Sequence, residues 1–206
     1  NKGILVFVLA YFFYIDGVNT VIHMATAYGG TLGLDTTGMI LALLVTQLVA
    51  VPCSILFSKL AGKFGAMKMI LFAVCMYTFI CVVGYYMGYS IESAPADPVL
   101  HAEAVSRAQT LFWIMAGLVG TVQGGIQALS RSYYGKLIPP ERSNEFFGFF
   151  DIFGKFAAVI GPSLYALITS VTGSAAKGIV SVSVLFIIAF VILVAGRKYL
   201  KTAEKV

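Results

Sequence analysis

The chain has 206 residues, of which 59% are hydrophobic and 11% charged, with a net charge of +5 and a mean hydropathy of +0.92. A soluble domain carries about 25% charged residues, so a water-soluble globule is excluded. A nucleic-acid binder is also excluded, because the basic residues sit in short clusters between apolar runs, as topology signals do.

The apolar residues fall in runs of the length an α-helix needs to cross the bilayer, about 20 residues for 30 Å of hydrocarbon. Only helices satisfy the backbone in such runs. The sequence predicts six spans, at 4–28, 37–58, 67–90, 108–130, 146–170 and 176–197. Gly29, Gly30 and Gly33 end the first, and Asp35 is placed to cap the second. The segment 58–68 is a tight basic turn. The 91–107 loop is the longest, and its Asp97-Pro98 pair reads as an N-cap and first helical residue, starting the fourth helix well outside the membrane. Pro139-Pro140 breaks the chain before the fifth span. The first residue is Asn1, with no cleavable signal peptide after it, so the chain reads as part of a longer polypeptide.

The spans form two triplets. Gly38 precedes Pro52 in the second span by the same 14 residues that separate Gly148 from Pro162 in the fifth. A glycine turn follows each, at Gly65 and at Gly173. In each triplet the first two spans carry polar groups within the membrane and the third is nearly all apolar. Triplets with an odd number of helices must be inverted relative to each other. The expected fold is therefore an all-α membrane protein built as two inverted three-helix repeats.

Ionisable side chains at bilayer depth are expensive and usually face a bundle interior or a cavity. In the first span Asp16, Asn19, Thr20 and His23 share one helical face. Gln47 and Ser54 share a face of the second. Gln123, Gln127, Ser130 and Arg131 share a face of the fourth, near Gly117, Gly120, Gly124 and Gly125, which permit close helix approach. Such stripes either hold helices together or line a solute path. Arg131 reads more simply as an anchor at the cytoplasmic end. In the fifth span Asp151 and Lys155 are spaced i, i+4, as an intrahelical ion pair requires. Lys155 lies about 15 Å along the helix from Glu145, near the midplane. It is expected to form a charge network with Asp151, Asp16 or both. The expected solute or ion pathway is thus Asp16, Asn19, His23, Gln47, Gln123, Gln127, Asp151 and Lys155. No metal, cofactor or catalytic site is expected: His23 and His101 belong to no ligand motif, Cys53, Cys75 and Cys81 lie inside apolar runs, and no P-loop is present.

The turn Ser58-Lys59-Leu60-Ala61-Gly62-Lys63-Phe64-Gly65-Ala66-Met67-Lys68 resembles the signature loop of the major facilitator superfamily, with Gly62 where that loop usually has Asp. Lys59, Gly62, Lys63, Gly65 and Lys68 carry the likeness. Tyr11 to Thr20, Gly125 to Ser132, Ile138-Pro139 and Glu145 to Gly148 resemble the carboxyl-terminal half of the vacuole-effluxer-like branch of that superfamily, which includes autophagy-related permeases. The resemblance covers essentially the whole chain. It implies half of a major facilitator fold, a secondary transporter of a small polar solute, with amino acids as a candidate, and a multi-pass protein of a bacterial plasma membrane. It also implies that an amino-terminal six-helix half completes the molecule. The competing reading is a membrane structural or interaction module without transport.

Orientation follows from the basic residues. Lys2, Lys59, Lys63, Lys68, Arg131, Lys136, Arg142, Arg197, Lys198, Lys201 and Lys205 fall on one side, and only Arg107 and Lys177 on the other. Both termini, 58–68 and 131–145 are therefore expected in the cytoplasm, and 91–107 outside. In a cysteine-free background, a cysteine at position 63 should react with an impermeant maleimide only after the cells are opened. Labelling of intact cells at that position would reverse the topology.

Overall fold

In a computed structural model, which describes residues 2–95 and 97–203, nearly every residue is helical. Lys205, counted above among the basic residues, lies outside the described residues. The first span is α1 (Lys2–Thr31), the second α2 (Thr36–Phe64), the third α3 (Ala66–Glu92) and the fourth α4 (Pro98–Leu137). A 3-10 turn, Pro140–Arg142, leads into the fifth span, which is two helices, α5 (Ser143–Phe156) and α6 (Ile160–Thr172). The sixth is α7 (Ala175–Ser181) and α8 (Ser183–Ala195), followed by α9 (Arg197–Ala203). Six helical segments are long and apolar enough to cross a membrane, and the chain is an integral, multi-pass membrane protein.

Local chemistry sets the helix ends. The Asp35 carboxylate accepts from Gly38 N at 2.5 Å, and its backbone N–H donates to Gln109 Oε1 at 3.0 Å, which ties the start of α2 to α4. Asp97 accepts from Val99 N and Leu100 N at 2.8 and 3.2 Å, with Pro98 as the first helical residue. With 40 residues α4 is about 60 Å long. It therefore outruns the hydrocarbon by far, as the Asp97-Pro98 reading expects.

The packing follows the two triplets. The third span lies against the fourth as the sixth lies against the first, and the third and sixth meet each other. The second span runs along α4, and the fifth, less extensively, along α1. Exchanging the triplets maps this pattern onto itself, as inverted repeats require. The turn glycines share the relation, since Gly65 and Gly173 both have positive φ, +96° and +67°, where a side chain would be strained. The architecture is that of half a major facilitator fold. Within it α1 is the central helix, 61% buried in its most apolar window, against 22% for α2 and 17% for the fifth span. Those two spans leave the most surface for lipid or a partner.

The α2–α4 contact is the most extensive in the bundle. A Cβ added at Gly125 would collide with the Phe57 ring, and one at Gly120 would meet the Thr46 carbonyl. Thr46 Oγ1 donates to Ala116 O at 3.0 Å across the same seam. Gly117, on the same helix, has open space around it. Gly125→Ala should therefore lower the midpoint of thermal unfolding in detergent, by about 1–3 kcal/mol of overpacking. Gly117→Ala should raise it slightly, by the helix preference of Ala over Gly, about 0.5–1 kcal/mol. Equal midpoints for the two variants would refute the close packing.

Candidate functional site

The fifth span, expected at 146–170, is interrupted within the membrane segment. Helix α5 stops at Phe156 and α6 starts at Ile160. Pro162 supplies no N–H and its ring crowds the carbonyl four residues earlier, so the preceding turn opens. Its counterpart Pro52 lies inside an unbroken α2. The difference comes from α1. Asp16, fully buried, accepts from Gly161 N with both carboxylate oxygens, at 3.1 and 3.0 Å. A helix N-terminus presents unpaired N–H groups and partial positive charge, and a carboxylate from a neighbouring helix satisfies both. Thr20 Oγ1 bonds back to Asp16 O at 2.7 Å. It packs so tightly on Gly161 that no Cβ fits there. Asp16 and Thr20 thus clasp α6 to α1.

The charge network expected around Lys155 is corrected in the same way. Asp151 pairs with Arg131 of α4, Nη1 to Oδ1 at 3.0 Å, and not with Lys155. The Arg131 guanidinium also lies over the Phe147 ring, 5.2 Å from its centroid. Phe147 and Asp151 are one turn apart on α5, so they grip one planar cation between them. Asp16 is committed to α6. Among the described residues Lys155 has no carboxylate within 4 Å.

These groups meet in a cleft of about 530 Å³ between α1, α4 and α5. Asn19, Gln127, Arg131, Asp151 and Lys155 line it, with Tyr11, Ile15 and Phe150 as its apolar wall. Tyr11 stacks on Phe150 with ring centroids 4.0 Å apart. Behind the wall Tyr14 Oη and Ser130 Oγ are 2.6 Å apart and join α1 to α4.

Four of the expected pathway residues, Asn19, Gln127, Asp151 and Lys155, are therefore gathered in one place. Gln47 and Gln123 line a second cavity, of about 50 Å³, bordered by α1 to α4 and Ile179. His23 is exposed and belongs to neither. In the basic turn Lys59, Gly62, Lys63, Gly65 and Lys68 are all exposed. Arg131 is the cleft residue that the anchor reading passed over. Its i, i+4 spacing from Gln127 was the available signal, but nothing in the sequence shows that Asp151 faces it. Among the described residues no His, Cys, Asp and Glu cluster could hold a metal ion.

Residues 1–199 match the family described as "Vacuole effluxer Atg22 like". The chain belongs to that family. It is 44% identical over 192 residues to a Bacillus subtilis (strain 168) protein named "Uncharacterized MFS-type transporter YxiO", covering 93% of this chain and 40% of that protein. It is 28% identical over 200 residues to autophagy-related protein 22 of Cryptococcus neoformans (strain JEC21), covering 93% of this chain and 33% of that one. A third relative, autophagy-related protein 22-2 of Aspergillus clavatus, is 28% identical over 188 residues, or 89% of this chain and 30% of the relative. The chain thus spans 30–40% of the length of these relatives. No solved structure matches it significantly.

The clasp makes a clear demand of this family member. Asp16→Ala leaves a helix N–H without its acceptor inside the bundle and should lower stability in detergent by about 1–3 kcal/mol. Asp16→Asn keeps an acceptor oxygen and should lose less than half as much. An alanine variant as stable as the parent would show that the carboxylate does not hold α6.

Proposed function

We propose that this chain is the carboxyl-terminal half of a secondary transporter that moves a small polar solute, amino acids being the leading candidates, by alternating access. The cleft carries the reading. It holds Arg131, Asp151 and Lys155 on helices of a membrane domain, where ionisable groups mark solute or ion paths. Its walls come from the first helix of each triplet and from the broken fifth span. Interrupted helices around a site between repeats are a recurrent feature of secondary transporters. The name of the Bacillus relative, an MFS-type transporter, favours the same reading.

The partner is an amino-terminal six-helix half, expected on the same polypeptide because the relatives are two to three times longer than this chain. It would close over the surface left open by α2 and the fifth span. The membrane is a bacterial plasma membrane, with the basic turns in the cytoplasm. The third and sixth spans, which bring no charged or amide side chain to the cleft, lie toward lipid.

The test is flux. The full-length polypeptide, reconstituted in proteoliposomes, should exchange labelled neutral amino acids above the level of protein-free vesicles. Lys155→Gln should cut that exchange at least ~10-fold, the cost of one charge-assisted hydrogen bond. This half alone should give no flux. Monodisperse full-length protein that moves none of the solutes offered would favour the non-transporting module instead.

A further inference from the structure

Helix α5 has open space on two faces. Phe150, Asp151, Gly154 and Lys155 line the cleft, whereas Phe146, Phe149 and Phe153, at i, i+3 and i+7, line a separate groove of about 880 Å³. Leu5 and Leu9 of α1 form its facing wall. From Phe146 to Phe153 the apolar wall runs for about 10 Å of helix. Leu5, Leu9 and Phe149 are exposed in a membrane domain, where the solvent is acyl chain and not water. Atoms along an empty wall forgo their dispersion contacts, so the groove calls for an apolar occupant.

The charged groups of the groove sit at one end. Lys136 lies in the last turn of α4 and Glu141 in the 3-10 turn that follows, and both line the groove. They are opposite in sign, yet neither has an ion-pair partner within 4 Å among the described residues. The neighbouring charges are otherwise engaged. Arg142 pairs with Glu145, Nη2 to Oε2 at 2.6 Å, and Lys2 lies over the Tyr199 ring, 5.9 Å from its centroid. The rim therefore offers one ammonium donor and one carboxylate acceptor, with no net charge. Below it the walls are apolar and run along membrane-crossing helices. That polarity is the outline of an amphiphile whose head carries one charge of each sign.

We infer that the groove between α1 and α5 binds a phosphatidylethanolamine, with its phosphate on Lys136, its ammonium on Glu141 and an acyl chain along Leu5, Leu9 and the three phenylalanines. Phosphatidylcholine keeps the phosphate, but its quaternary ammonium has no N–H to give Glu141. Phosphatidylglycerol brings no cation and sets its phosphate beside Glu141 unrelieved. The partner half proposed above covers the cleft face of α5 and leaves the groove face to lipid, and the inference rests on that arrangement.

Native mass spectrometry of the full-length polypeptide in detergent, with the three lipids at matched acyl chains, reads the binding without flux. Phosphatidylethanolamine should bind at least ~10-fold more tightly than the other two. Glu141→Gln should bring it level with phosphatidylcholine, and Glu141→Lys should move the preference to phosphatidylglycerol. Lys136→Gln should weaken all three. Both side chains are exposed, so these variants keep the fold. Replacing Phe149 by p-benzoylphenylalanine identifies the occupant: in phosphatidylethanolamine bilayers, illumination should crosslink it to lipid. Any one of three results overturns the inference: equal binding of the three lipids, an unmoved preference in the Glu141→Gln protein, or crosslinking to the amino-terminal half instead of to lipid. Its failure is separable from failure of the transport reading. Flux without lipid selectivity rejects the lipid site alone. Selective lipid binding without flux of any solute rejects transport alone.

Discussion

A helix that stops in the middle of a membrane leaves N–H groups with no water to receive them, and the organisation of this molecule turns on how that cost is met. At the break in the fifth span it is met by one carboxylate from another helix. Asp16 accepts from Gly161 N with both oxygens, and the burial of its charge is offset by the N-terminal end of α6. The arrangement serves both partners, since neither a buried carboxylate nor an open helix end is tolerable alone in hydrocarbon. Thr20 and the missing side chain of Gly161 let the two backbones come close enough for the bond to form.

The position of the cleft follows from that clasp. Once α6 is fixed to α1, the preceding segment α5 is directed over the α1–α4 seam, and Asp151 arrives beside Arg131. Phe147 and Phe150 come with it and pack on Arg131 and Tyr11. The Arg131–Asp151 pair is half exposed, so it contributes at the modest level of surface pairs, about 0.2–1 kcal/mol. Its importance is positional. By taking Asp151 it leaves Lys155 with no carboxylate within 4 Å among the described residues.

The two repeats show how one plan yields two behaviours. Both second helices carry a proline at the same spacing and end on a glycine of positive φ. The first stays continuous and packs along the small-residue face of α4. The second breaks and meets α1 less extensively, held by the Asp16–Gly161 clasp. The symmetry is thus approximate, with one second helix continuous and the other interrupted.

Much of this was legible in the sequence because it depends on short-range rules. Span count, the caps at Asp35 and Asp97, the glycine turns and the inverted triplets all follow from hydropathy, helix-end chemistry and spacing. Asn19, Gln127, Asp151 and Lys155, singled out because polar groups at bilayer depth need a reason, line one cleft. The partners of those groups were not legible. The i, i+4 spacing of Asp151 and Lys155 pointed to an intrahelical pair, and the similar depth of Asp16 pointed to a network. Helix rotation and the break at residues 157–159 decided otherwise, sending Asp151 to Arg131 and Asp16 to Gly161. Spacing along a chain fixes which residues share a helical face. Which face meets which neighbour is set by the packing of the whole bundle, and so the pairing of charges belonged to the tertiary structure alone.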